Sequence, residues 1–330
     1  MKLEALLDQI FKHPTLQSQP PVLVDIGASG DLHYAWKSIA KYAICVAFDA
    51  DDRDIAYVNQ KKQYYKELHL LNKIVIDSDA ETTDFYLTKS PYCSSLLKPD
   101  EASLAYWQFA DLFTVEKKVK LNSISLKKAL SQLNISHVDW FKSDSQGTDL
   151  RLFKNIESIQ STILLAEFEP GIADVYEGED KVVNVLQYMT DKPFWLSHMI
   201  VHGNYRADIS KLNAHFTQHE LQQLFVNTPN TPLYAEMTYF NDFSIDTVKT
   251  ERNLLLACAF GLLQKQYAFA AGLALEGLNT YQNLIFEAIL QFIKQTTKKA
   301  TIAGLLSRPA LLKKKIANRL IHFLQKHNGA

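Results

Sequence analysis

Three cysteines in 330 residues, Cys45, Cys93 and Cys258, are too few and too scattered for a disulfide framework, and none stands in the paired spacing of a zinc site. A reducing compartment suits such a chain. Charge of one sign is not in excess: 35 Lys and Arg against 36 Asp and Glu leave a net charge of −1, so no bulk field draws the protein to nucleic acid. The first residues lack the basic start and unbroken apolar run of a leader, because Glu4 and Asp8 fall in the first two helical turns, and a cytoplasmic location is expected. Long uncharged apolar runs are also missing. The best, 254–275, is interrupted by Gln264-Lys265-Gln266 and reads as two buried helices joined near Lys265 rather than a membrane span. There is no internal repeat, no low-complexity tract and no His, Asp and Glu grouping at metal-ligand spacing, so no metal is expected. What is there is globular. A chain 47% hydrophobic and 22% charged is neither disordered nor collagen-like, and its length suits one large domain, or an ordinary one with helical additions.

Leu3, Leu6, Leu7, Ile10 and Phe11 recur with a helical period over 2–12, ahead of Pro14 and the Pro20-Pro21 break, so residues 1–20 form an N-terminal helix and its exit. From there apolar runs of strand length alternate with helical stretches. The strand candidates are Val22–Ile26, Ile44–Phe48, 73–76, 138–141, 163–168, 194–199 and 233–240, and the helical ones include 52–66, 125–133 and 178–190. That alternation predicts an α/β fold with a seven-stranded, mostly parallel, Rossmann-like sheet over 21–245. Beyond about residue 246 the strands stop, and 246–330 reads as a helical C-terminal region, with turns expected at Gly277 and before Pro309.

The sharpest local signal is Val22-Leu23-Val24-Asp25-Ile26-Gly27-Ala28-Ser29-Gly30, a buried parallel strand running into a small-residue turn. Ligands of open α/β sheets bind beyond the carboxyl ends of strands, and glycine there admits a ligand close to the backbone. A dinucleotide fingerprint needs Gly where Ser29 and Leu32 stand, which weakens an NAD reading. Asp25 suits a cationic or amine-rich ligand such as S-adenosylmethionine, which has an ammonium and a sulfonium and no pyrophosphate. The same nonapeptide also reads as a bare tight turn.

The next strand ends in Asp49, 22 residues beyond Gly27, close to the spacing at which an acid accepts hydrogen bonds from a ribose diol. Asp51 and Asp52 read instead as acids of a helix start. The 73–76 strand closes with Asp77-Ser78, placed either to meet an adenine amine or to cap a loop. In Asp139-Trp140-Phe141-Lys142-Ser143-Asp144-Ser145-Gln146-Gly147, Lys142 and Asp144 alternate with apolar neighbours, so both project toward the cleft of Gly27 or form a buried structural pair.

Val24-Asp25-Ile26-Gly27-Ala28, Ala47-Phe48-Asp49, Tyr86-Leu87-Thr88, Cys93-Ser94-Ser95-Leu96 and the 139–149 block, in that order, resemble the FkbM family of S-adenosylmethionine-dependent methyltransferases, and Glu167-Phe168-Glu169-Pro170 with Tyr176-Glu177-Gly178 extends the likeness over roughly 20–245. The resemblance implies a class I methyltransferase sheet with S-adenosylmethionine held by Asp25, Gly27, Ala28, Ser29, Asp49, Ala50, Asp77 and Ser78. It implies O-methylation of a hydroxyl on a small-molecule or glycan acceptor such as a polysaccharide precursor. The family usually has Asn at Ser29, Glu at Asp49, Pro at Ala50 and Glu at Asp149. Those departures keep alive a second reading, a non-catalytic scaffold or binding protein in glycan assembly; a nucleotide-sugar or NAD enzyme comes third. Removing a hydroxyl proton calls for a base near the methyl group. Asp144 is the first candidate, with Lys142 beside it and Glu167 and Glu169 behind; His198 and His202 flank a strand end.

No acidic residue follows Glu287, while nine Lys and Arg do. From Ser307, Leu312, Ile316, Leu320, Phe323 and Leu324 line one helical face over 307–327. Such a helix packs its stripe on its own domain, the preferred reading, or lies peripherally on an anionic inner membrane face or an acidic partner.

Overall fold

The computed structural model describes residues 2–28, 33–49 and 64–307, with side chains as far as Lys298. The basic tail from Arg308 onward and most of the 52–66 helical stretch lie outside the described residues.

The main sheet holds seven strands: β1 (Val22–Ile26), β2 (Ile44–Phe48), β3 (Glu67–Leu71), β7 (Trp140–Ser143), β8 (Leu165–Phe168), β9 (Phe194–Asn204) and β10 (Thr231–Asn241). Their spatial order is β3-β2-β1-β7-β8-β10-β9, and β10 alone runs antiparallel to its neighbours. The mostly parallel, Rossmann-like sheet expected from the sequence is therefore present. A smaller sheet, in the order β4-β6-β5, is built from β4 (Ile74–Ile76), β5 (Thr82–Thr88) and β6 (Val115–Ser125).

One expected strand changes place. The 73–76 run belongs to the small sheet as β4, paired with β6, and the seventh main-sheet strand is Glu67–Leu71 instead. Its Glu67 is exposed and the rest half-buried, as an edge allows, so no apolar run marks it.

Alternation along the parallel strands divides the core in two. Leu23, Cys45, Ala47, Trp140 and Leu165 face α1 (Leu3–Phe11) and the C-terminal helices α5 (Glu251–Leu263), α6 (Tyr267–Tyr281) and α7 (Leu284–Ser307). Val24, Val46, Phe141 and Ala166 face α2 (Leu126–Gln132), α3 (Asp149–Asn155) and α4 (Val182–Thr190) on the other side. Secondary structure changes from strand to helix at about residue 246, but α5 to α7 and α1 share one core with the sheet.

The helix break near Lys265 falls where expected, with Lys265 left-handed at φ 59°. Gly277 marks no turn, however. It lies inside α6, where the Phe286 ring packs so close that an added Cβ would sit 2.4 Å from it, and the turn comes at left-handed Gln282. No described helix is long and apolar enough to cross a membrane.

Candidate active site

Counted along the chain, the main-sheet strands stand in the order 3-2-1-4-5-7-6, so connections leave β1 and β7 in opposite directions. A crevice opens beyond the carboxyl ends at such a switch point. A cavity of about 760 Å³ lies there, bounded by Ile26 and Gly27 after β1, Phe48 and Asp49 after β2, and Asp144, Ser145 and Gln146 after β7. Lys73 to Val75 and the small sheet, including Phe85, Thr88 and Glu116, close its far wall.

Gly27 has φ 84°, and a Cβ there would fall 2.0 Å from the Asp144 carbonyl oxygen. Its freedom thus serves the chain's own backbone: Asp144 N–H donates to the Ile26 carbonyl at 2.9 Å, locking the two strand ends together. The N–H groups of Gly27 and Ala28 both donate to the Phe48 carbonyl, at 3.1 and 3.2 Å. Neither is left for a pyrophosphate. Ala28 itself is buried, and Ser29 and Ala50 lie outside the described residues.

Asp49 is buried and lines the cavity with Asp144 and Gly27. Asp77 and Ser78 are exposed and do not line it, although β4 contributes Ile74 and Val75.

The register Asp25 to Lys142 to Glu167 sets those three side chains in one row across β1, β7 and β8, a layer below the cavity floor. None of them lines the cavity. Lys142 Nζ meets Asp25 Oδ1 at 3.2 Å, and Asp25 Oδ2 accepts the His33 N–H at 3.1 Å. Burial disfavours the Lys142 ammonium, but the carboxylates of Asp25, Asp144 and Glu167 outweigh it and hold the amine protonated well above its ordinary range. Burial, helped by Lys142, pushes His33 down to about 4, so it is neutral. Glu167 accepts from Trp140 Nε1 at 2.9 Å and Gln264 Nε2 at 3.0 Å. Burial, with Asp25 and Glu236 behind it, raises its carboxyl to about 7.

Asp144 and Glu169 follow directly after the ends of β7 and β8, two residues beyond Lys142 and Glu167. Burial first, then the Asp144 charge, raises the Glu169 carboxyl well above the carboxylate range. Asp149, at the start of α3, ties the turn to β8: it accepts from Ser143 Oγ at 2.7 Å, Ser145 N–H at 2.8 Å and Glu169 N–H at 2.8 Å.

Sequence reasoning assigned no role to Gln146, Tyr176 or Ser95. Gln146 is left-handed at φ 55°, a conformation costing about 1 kcal/mol in a non-glycine residue, and three contacts hold it there. Its Nε2 donates to Asp144 Oδ1 at 2.8 Å, its Oε1 accepts from the Tyr176 hydroxyl at 3.0 Å, and its carbonyl accepts from Ser95 Oγ at 2.8 Å. The clip fixes one oxygen of Asp144. The quoted blocks around residues 95, 146 and 176 were its only sequence signal, because separations of up to 51 residues are invisible to spacing. His198 and His202 lie on the outer strand β9, remote from the lining residues; His202 pairs with Glu236 at 2.9 Å. Among the described residues no three His, Cys, Asp or Glu side chains converge to hold a metal ion.

No family model and no curated protein matches the chain. Among solved structures it is similar to magnesium protoporphyrin IX methyltransferase (ChlM) from Synechocystis PCC 6803 with bound SAM, at 9% identity and a TM-score of 0.28, covering 72% of this chain and 79% of that one. It is also similar to geranyl diphosphate C-methyltransferase from Streptomyces coelicolor A3(2), at 8% identity and a TM-score of 0.30, covering 72% and 80%. Likenesses at this level say nothing of activity.

Proposed function

We propose that the protein is an S-adenosylmethionine-dependent methyltransferase acting on a hydroxyl, with the cavity at the β1/β7 switch point as its active site. The observation that carries this reading is the sheet itself. An antiparallel strand inserted between the fifth and sixth parallel strands departs from the all-parallel 3-2-1-4-5-6 order of a dinucleotide-binding sheet and agrees with the class I methyltransferase sheet that the sequence resembles. The residues present suit that cofactor. Asp49 offers a carboxylate for a ribose diol, Phe48, Ile74, Val75 and Phe85 offer apolar walls for a purine, and the turn's committed N–H groups disfavour a pyrophosphate.

When bound, the cofactor supplies an electrophilic methyl group on a sulfonium. The chain's part is to align and to take a proton. Alignment alone is worth effective molarities of about 10⁵ M or more, and a positioned base contributes about 10²- to 10⁴-fold. Asp144 is the carboxylate at the cavity edge, with one oxygen pinned by Gln146 and the rest of the group beside Glu169. Lys142 and Glu167 act from beneath, through charge. A sugar or polysaccharide-precursor acceptor is favoured by the family resemblance.

Calorimetry with S-adenosylmethionine, its demethylated product and NAD tests the reading. The first two should bind and NAD should not. Asp49→Ala should weaken S-adenosylmethionine binding by about 10- to 150-fold, the loss of a charged hydrogen-bond acceptor of roughly 1.5–3 kcal/mol. Binding of NAD alone, or unchanged affinity in the variant, overturns it.

A further inference from the structure

We propose that β9 is a dimer interface: its open edge pairs antiparallel with the β9 edge of a second copy of this chain, about a two-fold axis at Ile200, and carries the main sheet from one subunit into the next. β9 is the outermost strand, with β10 on one side and no strand on the other. Such an edge bears a row of unpaired N–H and C=O groups, which proteins protect with charge, proline, shortness or a covering loop. β9 is eleven residues long and holds no Asp, Glu, Lys or Arg. The chain itself blocks the two ends of this edge. Gln266 Nε2, just ahead of α6, donates to the Ser197 carbonyl at 2.9 Å, and just past the strand the Gln108 N–H donates to the Tyr205 carbonyl at 3.1 Å. Between those points, among the described residues, no side chain or loop bonds the outer backbone of 198–204. Met199, Ile200 and Val201 are 36, 39 and 48% exposed there.

Register identifies the occupant. From His198 to His202 the pairing with β10 is regular, with an irregularity beyond each end. Met199 and Val201 stand across from Met237 and Ala235, on the face of the sheet turned to α4, and His198, Ile200 and His202 stand on the other face. A two-fold axis at Ile200 therefore sets that residue against its own copy, Met199 against Val201 and His198 against His202. Apolar side chains meet apolar ones on both faces, and no carboxylate or ammonium from either strand is enclosed.

No other described edge offers β9 an equivalent partner strand. β3 begins with the exposed Glu67 and is half-buried from there on, β4 is three residues long and buried, and the outer side of β5 is engaged at Tyr86, whose N–H and carbonyl both bond Ser95. The edge that fits β9 is a second β9, which closes the assembly at two subunits.

Sedimentation of the whole chain tests this without cofactor or acceptor. The open stretch is about 17 Å long, so the interface is small and its association falls in the micromolar range: the parent should be a monomer when dilute and a dimer at about 100 µM. Ile200→Lys places two ammonium groups face to face on the axis and should raise the dissociation constant by at least about 100-fold. Within one chain that substitution lies across from Glu236, so the melting temperature and circular dichroism should hold. Mild oxidation of Ile200→Cys should link two chains, whereas Leu196→Cys, comparably exposed on the same strand but off the axis, should link no more than the parent with its own Cys93. A parent that stays monomeric at the higher concentration, as it would if β9 takes a strand from a different protein, overturns the proposal. So does a dimer that persists in Ile200→Lys, an assembly larger than two, or equal linking through residue 196. Should Ile200→Lys not fold, the linking pattern decides.

Discussion

Glu167 shows at the scale of one side chain how burial is converted into pH dependence. Its carboxyl lies between Trp140, Gln264 and the Lys142 row, and its titration is raised from an ordinary 4.5 to about 7, mainly by burial. The folded protein therefore keeps a proton that the unfolded chain releases. That stability is fully present below about 4.5 and is lost as pH rises through 7, at up to about 1.4 kcal/mol per pH unit. Thermal melting between pH 5 and 8 should fall accordingly in the parent. Glu167→Gln, neutral at every pH, should flatten the slope; an equal slope in that variant would assign the dependence elsewhere. The sequence showed that Asp25, Lys142 and Glu167 are polar residues in buried strands. It did not show their depth, because period-two alternation gives the face of a strand but not the distance from its end to a cavity. Lys142 and Asp144 do share a face, as expected, yet only Asp144 reaches the cavity wall.

Among elements, the most consequential join is between α5 and the strand starts. Arg252 on α5 forks onto both oxygens of Asp139 at 2.8 Å and donates to the Gln19 carbonyl at 3.0 Å, while Asp139 Oδ2 accepts the N–H of Val22. Burial alone would raise the Asp139 carboxyl; Arg252 and His137 outweigh it and hold the group below its usual value. Breaking such a pair leaves a buried charge without its partner, so Arg252→Met should destabilise the protein by about 3–5 kcal/mol in urea unfolding. A loss under about 1 kcal/mol would show that water replaces the guanidinium. Nothing in the sequence linked residues 139 and 252. Elements were legible where local physics fixes them: β1, β2, β7 and β8 are buried on both faces and stand out as short, mainly apolar runs, each of β1, β7 and β8 holding one charged residue. β6, with Glu116, Lys117, Lys118 and Lys120, carries its stability in pairing with β5 and β4 and leaves no such run. Gly277 misled because a glycine demanded by a neighbour's ring looks, in one dimension, like a glycine demanded by a turn.

For the whole molecule, the face of the sheet that carries Trp140 is covered by helices from both ends of the described chain. Leu6, Ile10 and Phe11 of α1 share a core with Phe260 of α5 and with Phe286 and Ile289 of α7. His13 and Asn283 hydrogen-bond at 2.9 Å. A fragment ending at residue 245 should accordingly lack cooperative unfolding and near-ultraviolet circular dichroism and bind hydrophobic dyes, whereas a cooperatively melting fragment would show that α5 to α7 are an accessory layer. The same arrangement constrains the order in which the molecule is made. β1 leaves the ribosome before its partners: Lys142, the partner of its Asp25, follows 117 residues later, and Arg252, which binds the Gln19 carbonyl, follows that residue after 233. The nascent chain therefore carries the apolar face of α1 and an unroofed sheet until α5 to α7 emerge, which makes it a client for chaperones over that interval.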